Sequence, residues 1–243
     1  MRYLIKFAYD GSNFSGYQKQ KEGRTIQGEL EEKLTIINNG KKVLVSASGR
    51  TDAGVHALCQ CAHFDLEVPI TCDKLKKAIN SLLVDDIYVH EVVEVQPDFH
   101  ARFNVKKKEY KYRINLGEYD PLERNYIYQY NKTLNINNIK KASKYLLGQH
   151  NFKSFTKANV ETDDFVRTIY NVKIEKKKEI LEITFVGSGF MRYMVRNMVG
   201  FLIEIGEGKR NSKEIIDVLE KQDRTKAGKT APAEGLYLSK VIY

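Results

Sequence analysis

The loop at residues 49–57 has the most suggestive spacing of chemically active side chains in this sequence. Asp52 follows Arg50 by two residues, and the loop is longer than a hairpin between two strands requires. A carboxylate in such a loop can act as a nucleophile or as a base, and functional residues concentrate on loops of this kind. The alternative is a tight turn in which the Asp52 carboxylate binds nearby backbone amides. The residue types alone leave both interpretations open.

Arg196 is the second candidate for a functional role. It lies beside Val195, on the flank of the apolar stripe of a helix predicted over residues 191–205. A long charged side chain in that position needs water or a charged partner. We expect a carboxylate from the other half of the chain, such as Asp52, to be that partner, and the arginine would keep the carboxylate ionised.

The stretch at residues 106–113 interleaves basic and aromatic side chains. Lys106, Lys107 and Lys108 are followed by Tyr110 and Tyr112, which point to one face if this stretch is a strand. The combination fits base stacking beside phosphate contacts, although a lysine run is also typical of a plain solvated surface. A formal net charge of +9 favours an acidic partner, and nucleic acid is the commonest one.

Two other motifs suggest ligand sites but lack the required context. Cys59, Cys61 and His63 share one strand face, yet structural zinc usually needs a closely spaced cysteine pair and a second pair of ligands. We therefore interpret the two cysteines as buried strand thiols and expect no metal. Residues 228–230 look like the end of a phosphate-binding loop, but Asp223 stands where its first glycine should be. We expect no nucleotide cofactor.

The composition indicates a cytoplasmic protein without a membrane anchor. The apolar stretches are strand-sized and interrupted by charges, and strand-like alternation begins directly after Met1. Three cysteines without framework spacing are typical of reduced thiols in a cytosol.

The elements that must position these residues form two similar halves. Each half is predicted to run β-α-β-β-α-β, the order of a ferredoxin-like unit. The predicted fold class is therefore α+β, with halves at 1–102 and 103–243 that share a broad, mostly antiparallel sheet with helices on one face. A cleft where the halves meet is the natural place for a ligand.

Periodicity and capping residues predict the individual elements. The predicted strands lie at 2–9, 43–46, 58–66, 87–95, 108–116, 167–175, 180–186 and 236–243. The predicted helices are one capped by Thr25, one capped by Asp73, one over 137–147, one over 191–205 and one that begins with a capping box at Asn211 and Glu214.

Eight stretches, spread in order over nearly the whole chain, together resemble the tRNA pseudouridine synthase A family. They are residues 9–20, 49–57, 99–102, 110–112, 148–155, 167–169, 194–196 and 231–236. The 49–57 stretch is the most specific of them. Tyr17 stands where the family often has tryptophan, and Asn151 where aspartate is usual, and neither position touches the expected chemistry.

The resemblance implies isomerisation of uridine at positions 38, 39 and 40 of the tRNA anticodon stem-loop, without cofactor or metal, by a homodimer. It implies that Asp52 is the catalytic residue, that Tyr110 stacks on the target base and that Arg196 pairs with Asp52. Leu236 would pack against the base, and Arg50 would fill the gap that the flipped base leaves. The tRNA-contacting residues would be Phe99, His100, Ala101, Arg102, Lys106, Lys107 and Lys108.

Two other classes of protein compete with this interpretation. A non-catalytic RNA-binding protein with paired RRM-like units would also carry aromatic residues on its strands, but it would not need the acid of the Asp52 loop. A structural dimerisation domain would leave the basic charge unexplained. A glycoside hydrolase needs two carboxylates that flank the scissile bond, and only one candidate stands out here.

Overall fold

A computed structural model describes residues 1–157 and 164–243 of the chain. The described residues form two compact units, Met1–Lys106 with Tyr237–Tyr243, and Lys107–Leu236. The division predicted from the sequence placed all of 103–243 in one half. Residues 237–243 instead group with the first unit, where Tyr237 and Leu238 pair in parallel with His56 and Ala57.

Strands and helices are mixed in both units, so the chain is an α and β protein. The strands are β1 (Arg2–Tyr9), β2 (Ser46–Ala47), β3 (His56–Asp65), β4 (Ile87–Val95), β5 (Lys107–Asn115), β6 (Tyr128–Gln129), β7 (Gly148–Asn151), β8 (Val166–Lys177), β9 (Ile180–Gly187) and β10 (Leu236–Ile242). The helices are α1 (Ile26–Ile37), α2 (Cys72–Leu82), α3 (Ile136–Ser143), α4 (Met194–Gly206) and α5 (Glu214–Lys221). Within the described ranges, no helix is both long and apolar enough to cross a membrane.

The sheet of the first unit is built around β1. This strand pairs antiparallel with β3 on one side and with β4 on the other, and β10 lies beyond β3. The alternation predicted for β1 is confirmed on its inner face, because Tyr3, Ile5 and Phe7 are completely buried. The strand is therefore central, as its run of large apolar side chains requires.

Helix α1 begins where its capping residue predicts. The Thr25 hydroxyl accepts a hydrogen bond from the Gly28 amide at 3.2 Å, which satisfies one of the free amides of the first turn. Ile26, Leu30 and Leu34 form the buried stripe of the helix. Local capping and periodicity thus account for this helix.

The strand predicted at 43–46 is wrong for most of its length, since only Ser46–Ala47 forms β2. The Val43 amide donates to the Thr35 hydroxyl at 3.1 Å, and the Val45 amide donates to the Glu31 carboxylate at 3.2 Å. Side chains of α1 therefore bind the amides that a strand partner would otherwise bind.

The strands of the second unit pair in the order β5-β9-β8-β7, and all three of these pairings are antiparallel. The short β6 pairs in parallel with β5. The predicted pairing of 167–175 with 180–186 is confirmed by β8 and β9. Ile183 and Phe185 on β9 and Tyr112 on β5 are completely buried, so the core of this unit covers one face of the sheet.

Three predicted helix starts were wrong by two or three residues. Helix α2 follows Thr71 rather than Asp73, which instead lies in the first turn, where a carboxylate is favourable. Helix α4 begins at Met194 because Tyr193 has a left-handed backbone with φ of 66°. Helix α5 begins at Glu214, although the predicted bond from the Asn211 amide to the Glu214 carboxylate does form at 2.7 Å.

The helix predicted at 137–147 is shorter than expected. Helix α3 ends at Ser143, a single 3₁₀ turn follows at Lys144–Leu146, and β7 begins at Gly148. Leu147 is already extended, so the helical stretch ends before Gly148, which was predicted to terminate it; Gly148 instead opens β7 with a φ of +96°.

Candidate functional site

The Asp52 loop of the first unit connects β2 to β3. The Val55 amide donates to the Asp52 carbonyl at 3.2 Å, so residues 52–55 form a turn directly before β3. Asp52 is half-buried, whereas Arg50 is exposed. Asp52 is therefore partly accessible to solvent, and the nearby Arg50 is more accessible than Asp52.

Residues 9–17 hold this loop through long-range hydrogen bonds. The Tyr17 amide donates to the Thr51 carbonyl at 3.1 Å, and the Tyr9 and Thr51 hydroxyls lie 2.8 Å apart. Burial raises the pKa of Tyr9 to about 12, so this phenol stays protonated and remains part of the bond. The residue before Asp52 is therefore bound through both its backbone and its side chain.

Two glycines allow the backbone of residues 9–17 to approach the loop. A Cβ placed on Gly11 would overlap the carbonyl oxygen of Val55, and a Cβ on Gly16 would lie 3.2 Å from both the Ala53 amide nitrogen and the Thr51 carbonyl oxygen. Gly16 also has a φ of +101°, a conformation that L side chains rarely adopt. Only glycine fits at these two positions, so they form part of the support of Asp52.

His56 completes this support. Its Nδ1 accepts a hydrogen bond from the Gly11 amide at 3.1 Å, and its ring stacks on Tyr237 with centroids 4.8 Å apart. His56, the first residue of β3, thus connects Gly11 to the last strand of the same unit.

We expect Gly11→Ala to lower the free energy of unfolding by about 1–3 kcal/mol, because the new methyl group must displace the Val55 backbone. Urea denaturation of the two proteins measures the difference. Gly189→Ala is the matched control, since the nearest atom to its Cβ lies 3.8 Å away. Equal effects of the two substitutions would contradict the close approach.

Arg24 packs against Phe14, within residues 9–17, and is held in place by two carboxylates. Its guanidinium makes a two-pronged ion pair with Asp86 at 2.6 and 2.9 Å and contacts Glu29 at 2.7 Å. It also lies over the Phe14 ring at 4.3 Å. These charged contacts hold the pKa of Arg24 above its usual value, so the guanidinium stays charged throughout the physiological range.

Tyr110 of the second unit lies on β5 and is almost buried, with 8% of its surface exposed. Its ring meets the Phe190 ring edge-on at 5.1 Å. Tyr112, two residues along on the same face, donates its hydroxyl to the Pro232 carbonyl at 2.7 Å. Burial raises the pKa of Tyr112 well above its usual value, so this phenol is a permanent donor.

Arg196 lies in the first turn of α4 and binds residue 231 in both directions. Its Nε donates to the Ala231 carbonyl at 2.7 Å, and the Ala231 amide donates to the Arg196 carbonyl at 3.1 Å. The guanidinium also lies over the Tyr193 ring at 5.1 Å. Leu236, 5% exposed, follows a turn closed by its amide on the Ala233 carbonyl at 2.9 Å.

Within the second unit, therefore, β5 and α4 both bind residues 231–232, through Tyr112 and Arg196 respectively. These bonds place the predicted residues Tyr110, Arg196 and Leu236 on segments that are directly connected. Asp52 and Arg50 belong to the first unit.

The predicted tRNA-contacting residues lie along the connection from β4 to β5 and at the start of β5. Arg102, Lys106 and Lys107 are exposed, and Phe99, His100 and Lys108 are half-buried. Ala101 is completely buried, and its backbone groups anchor the turn. Lys107 lies 5.0 Å from the ring of Tyr170 on β8, an exposed aromatic that sequence reasoning missed because it is 63 residues away along the chain.

His63 on β3 holds the connection from β4 to β5 through one of its ring nitrogens. Its Nδ1 accepts a hydrogen bond from the Ala101 amide at 3.1 Å. Burial, together with the nearby His100, lowers the pKa of His63, which favours the neutral ring that this bond needs. Cys61 is buried, and Cys59 is half-buried.

Sequence reasoning also missed the role of Tyr9, Gly11, Gly16 and His56. Three of these residues lie in the 9–20 stretch on which the family resemblance partly rests. The available signal was the pair of glycines beside a turn, but their target, 35 to 45 residues further along, is not marked in the sequence.

Comparison with known proteins gives one consistent result. A family model described as tRNA pseudouridine synthase matches residues 5–104 and 142–243. The tRNA pseudouridine synthase A of Anoxybacillus flavithermus is 49% identical over 242 residues, which cover 100% of this chain and 98% of that protein. The protein of the same name from Listeria monocytogenes is 45% identical over 245 residues, covering 100% of this chain and 99% of that protein.

Among solved structures, a chain from the crystal structure of a Cbf5-Nop10-Gar1 complex aligns at 12% identity with a TM-score of 0.34, covering 83% of this chain and 54% of that one. That likeness carries no argument. The family model and the full-length relatives confirm the family resemblance that was predicted from the sequence. The chain belongs to the tRNA pseudouridine synthase family.

Proposed function

We propose that this protein isomerises uridine to pseudouridine at positions 38, 39 and 40 of the tRNA anticodon stem-loop, with Asp52 as its catalytic residue. Isomerisation of tRNA uridines is the activity of the family to which the chain belongs. The observation that carries the finer proposal is the Asp52 loop, held by Tyr9, Tyr17 and two close glycine approaches. A loop supported this firmly is what a single catalytic carboxylate requires.

The reaction needs no net exchange of atoms other than protons. The bond from ribose C1′ to N1 of uracil breaks, the base rotates, and a bond from C1′ to C5 forms. The proton on C5 leaves to solvent and N1 gains one. Asp52 either attacks the ribose or removes a proton from it, and one ionised carboxylate suffices for both routes.

A base within a stem-loop must leave its stack before this chemistry, at a cost of a few kcal/mol. We assign Arg50 to the gap that the base leaves, and its exposure on the same loop as Asp52 supports the assignment. Tyr110 would stack on the base, and Leu236 would pack against it. The detached uracil would then be retained by these apolar surfaces.

Arg196 is proposed to pair with Asp52 and to keep it ionised. This pairing rests on the family resemblance. The contacts of the guanidinium with Ala231 and Tyr193 support a fixed orientation of the side chain, which such a role requires. The non-catalytic alternative, an RNA-binding protein, offers no use for a supported Asp52.

We further propose that each half is a ferredoxin-like unit. The order β4-β1-β3 with the short β2 on β3, and helices α1 and α2 between the strands, supports this for the first half. A homodimer, a cytoplasmic location and activity without a cofactor complete the proposal. The relatives named above and the three free cysteines support the cytoplasmic location, because thiols stay reduced there.

The test is direct. The purified protein is incubated with unmodified tRNA, and pseudouridine is mapped along the product. We expect modification at 38, 39 and 40. Pseudouridine elsewhere in the tRNA, with none at these positions, would overturn the assignment of the substrate site.

We expect the double substitution Lys106→Gln and Lys107→Gln to weaken binding evenly across tRNAs. The log–log salt slope should fall by roughly one unit for each phosphate that the variant no longer binds. Lys74→Gln with Lys77→Gln removes the same charge from the exposed face of α2 and is the matched control. If both pairs change the slope equally, the lysine run is a plain solvated surface.

A further inference from the structure

Several hydrogen bonds hold the short turn after β4, at residues 99–104. The His100 amide donates to the Asn104 side chain at 2.7 Å, and the Asn104 amide donates back to the His100 carbonyl at 3.0 Å. The Ala101 carbonyl accepts from the Tyr243 hydroxyl at 2.8 Å. The Arg102 amide donates to His100 Nδ1 at 3.1 Å. These hydrogen bonds fix the conformation of residues 99–104.

The ring of His63 on β3 and two rings of this turn form a row of three contacting rings, the ring column, whose last member lies in solvent. The ring of the buried His63 lies 4.6 Å from that of His100, and the ring of His100 lies 4.2 Å from that of Phe103. Phe103 is 77% exposed. One end of the column is thus embedded in the first unit, and its last member presents an uncovered aromatic surface.

The surroundings of Phe103 are basic. The Arg102 guanidinium lies 5.9 Å from its ring, and Lys106 follows on the exposed end of the same connection. A cation beside an exposed aromatic ring is the combination with which proteins bind unpaired nucleotides, because the ring stacks on the base and the cation binds the backbone. A protein partner with an apolar surface would not need these charges.

We propose that Phe103 is a stacking platform for an unpaired nucleobase of the tRNA, separate from the target uridine, with Arg102 on the adjacent phosphate. The proposal rests on the proposed function, since it takes tRNA as the ligand. It assigns a contact with a base to a segment for which the family resemblance implies tRNA contact without saying which part of the tRNA is bound. Because the turn and the ring column are already held in place, the Phe103 segment would lose little conformational freedom when RNA binds.

Phe103→Leu tests the platform by affinity. It keeps an apolar side chain but removes the aromatic face, so tRNA should bind about 5- to 150-fold more weakly. Phe103→Tyr keeps the ring and should retain wild-type affinity. Ile36→Ala, at another exposed apolar position of the first unit (56% exposed), is the matched control and should leave binding unchanged.

A second measurement uses the absence of tryptophan from the sequence. Phe103→Trp introduces a single indole, whose emission should be quenched as tRNA is added, with the same midpoint as binding. Ile36→Trp should show no such quenching. The quenching measurement on Phe103→Trp does not require a loss of affinity. It therefore reports stacking even if the leucine variant fails to fold.

The outcomes separate the two proposals. If wild-type protein binds and isomerises tRNA but indole emission at 103 stays constant at saturation, the platform is refuted and the function stands. The platform is also refuted if Phe103→Leu binds tRNA as tightly as wild type. Emission at 103 that shifts with protein concentration without RNA assigns Phe103 to an interface between copies of the chain, which also overturns the platform. Wild-type protein that neither binds nor isomerises tRNA overturns both.

Discussion

Asp52→Asn is expected to reduce pseudouridine formation by about 10²- to 10⁴-fold or more while tRNA affinity stays within several-fold of wild type. The amide has the shape of the carboxylate but cannot act as a nucleophile or base at this step. Affinity should survive because phosphate contacts dominate it, and a carboxylate contributes none. Release of tritium from tRNA labelled at uracil C5 measures the reaction, since that proton is lost when the new bond forms.

Asp85→Asn is the matched control, because Asp85 is an exposed aspartate of the same unit. It should leave tritium release unchanged. Asp52→Ala provides a second variant that cannot revert to aspartate by deamidation. If Asp52→Asn retains even a tenth of the activity in a single turnover, the catalytic assignment is wrong.

Arg196→Met is expected to lower turnover by about 10²-fold, as the loss of one well-placed donor in an active site commonly does. The substitution keeps the volume of the side-chain stem but removes the bond to the Ala231 carbonyl and the charge over Tyr193. If Arg196 keeps Asp52 ionised, its loss makes the charged carboxylate less favourable, so the acid limb of the pH–rate profile should move to higher pH.

Arg192→Met is the control for that experiment. Arg192 also lies against Tyr193, at 5.4 Å, and its replacement removes the same charge four residues earlier. It should leave the acid limb in place. The proposed pairing itself is checked by a double-mutant cycle with Asp52→Asn on stability, which should be non-additive. Full additivity with an unmoved acid limb would leave Arg196 as a residue that only holds the 231–236 segment.

Several features of the fold could be predicted from local sequence because their causes are local. The Thr25 cap and the stripe of Ile26, Leu30 and Leu34 specify α1, and alternation specifies β1. The family could likewise be recognised from short motifs, above all the 49–57 stretch, and the full-length relatives confirm it. Patterns of this kind involve residues within a few positions of one another.

Other features depend on partners that are distant in the chain. Residues 43–45 are extended but not a strand because Thr35 and Glu31 bind their amides. Helix α4 starts late because Tyr193 is left-handed and the Arg192 carbonyl accepts from the Lys157 amide at 3.0 Å. Neither contact changes the local periodicity, so neither could be read from it.

The same distinction holds for the candidate site. The sequence alone identified Asp52, Arg50 and Arg196 as residues of interest, because their types and spacing are unusual. Only the tertiary structure assigned Gly11, Gly16 and His56 to the support of the Asp52 loop and left Phe103 uncovered at the end of a ring column. The physical reason is that close packing and hydrogen bonding join residues by position in space, whereas sequence patterns record only neighbours along the chain.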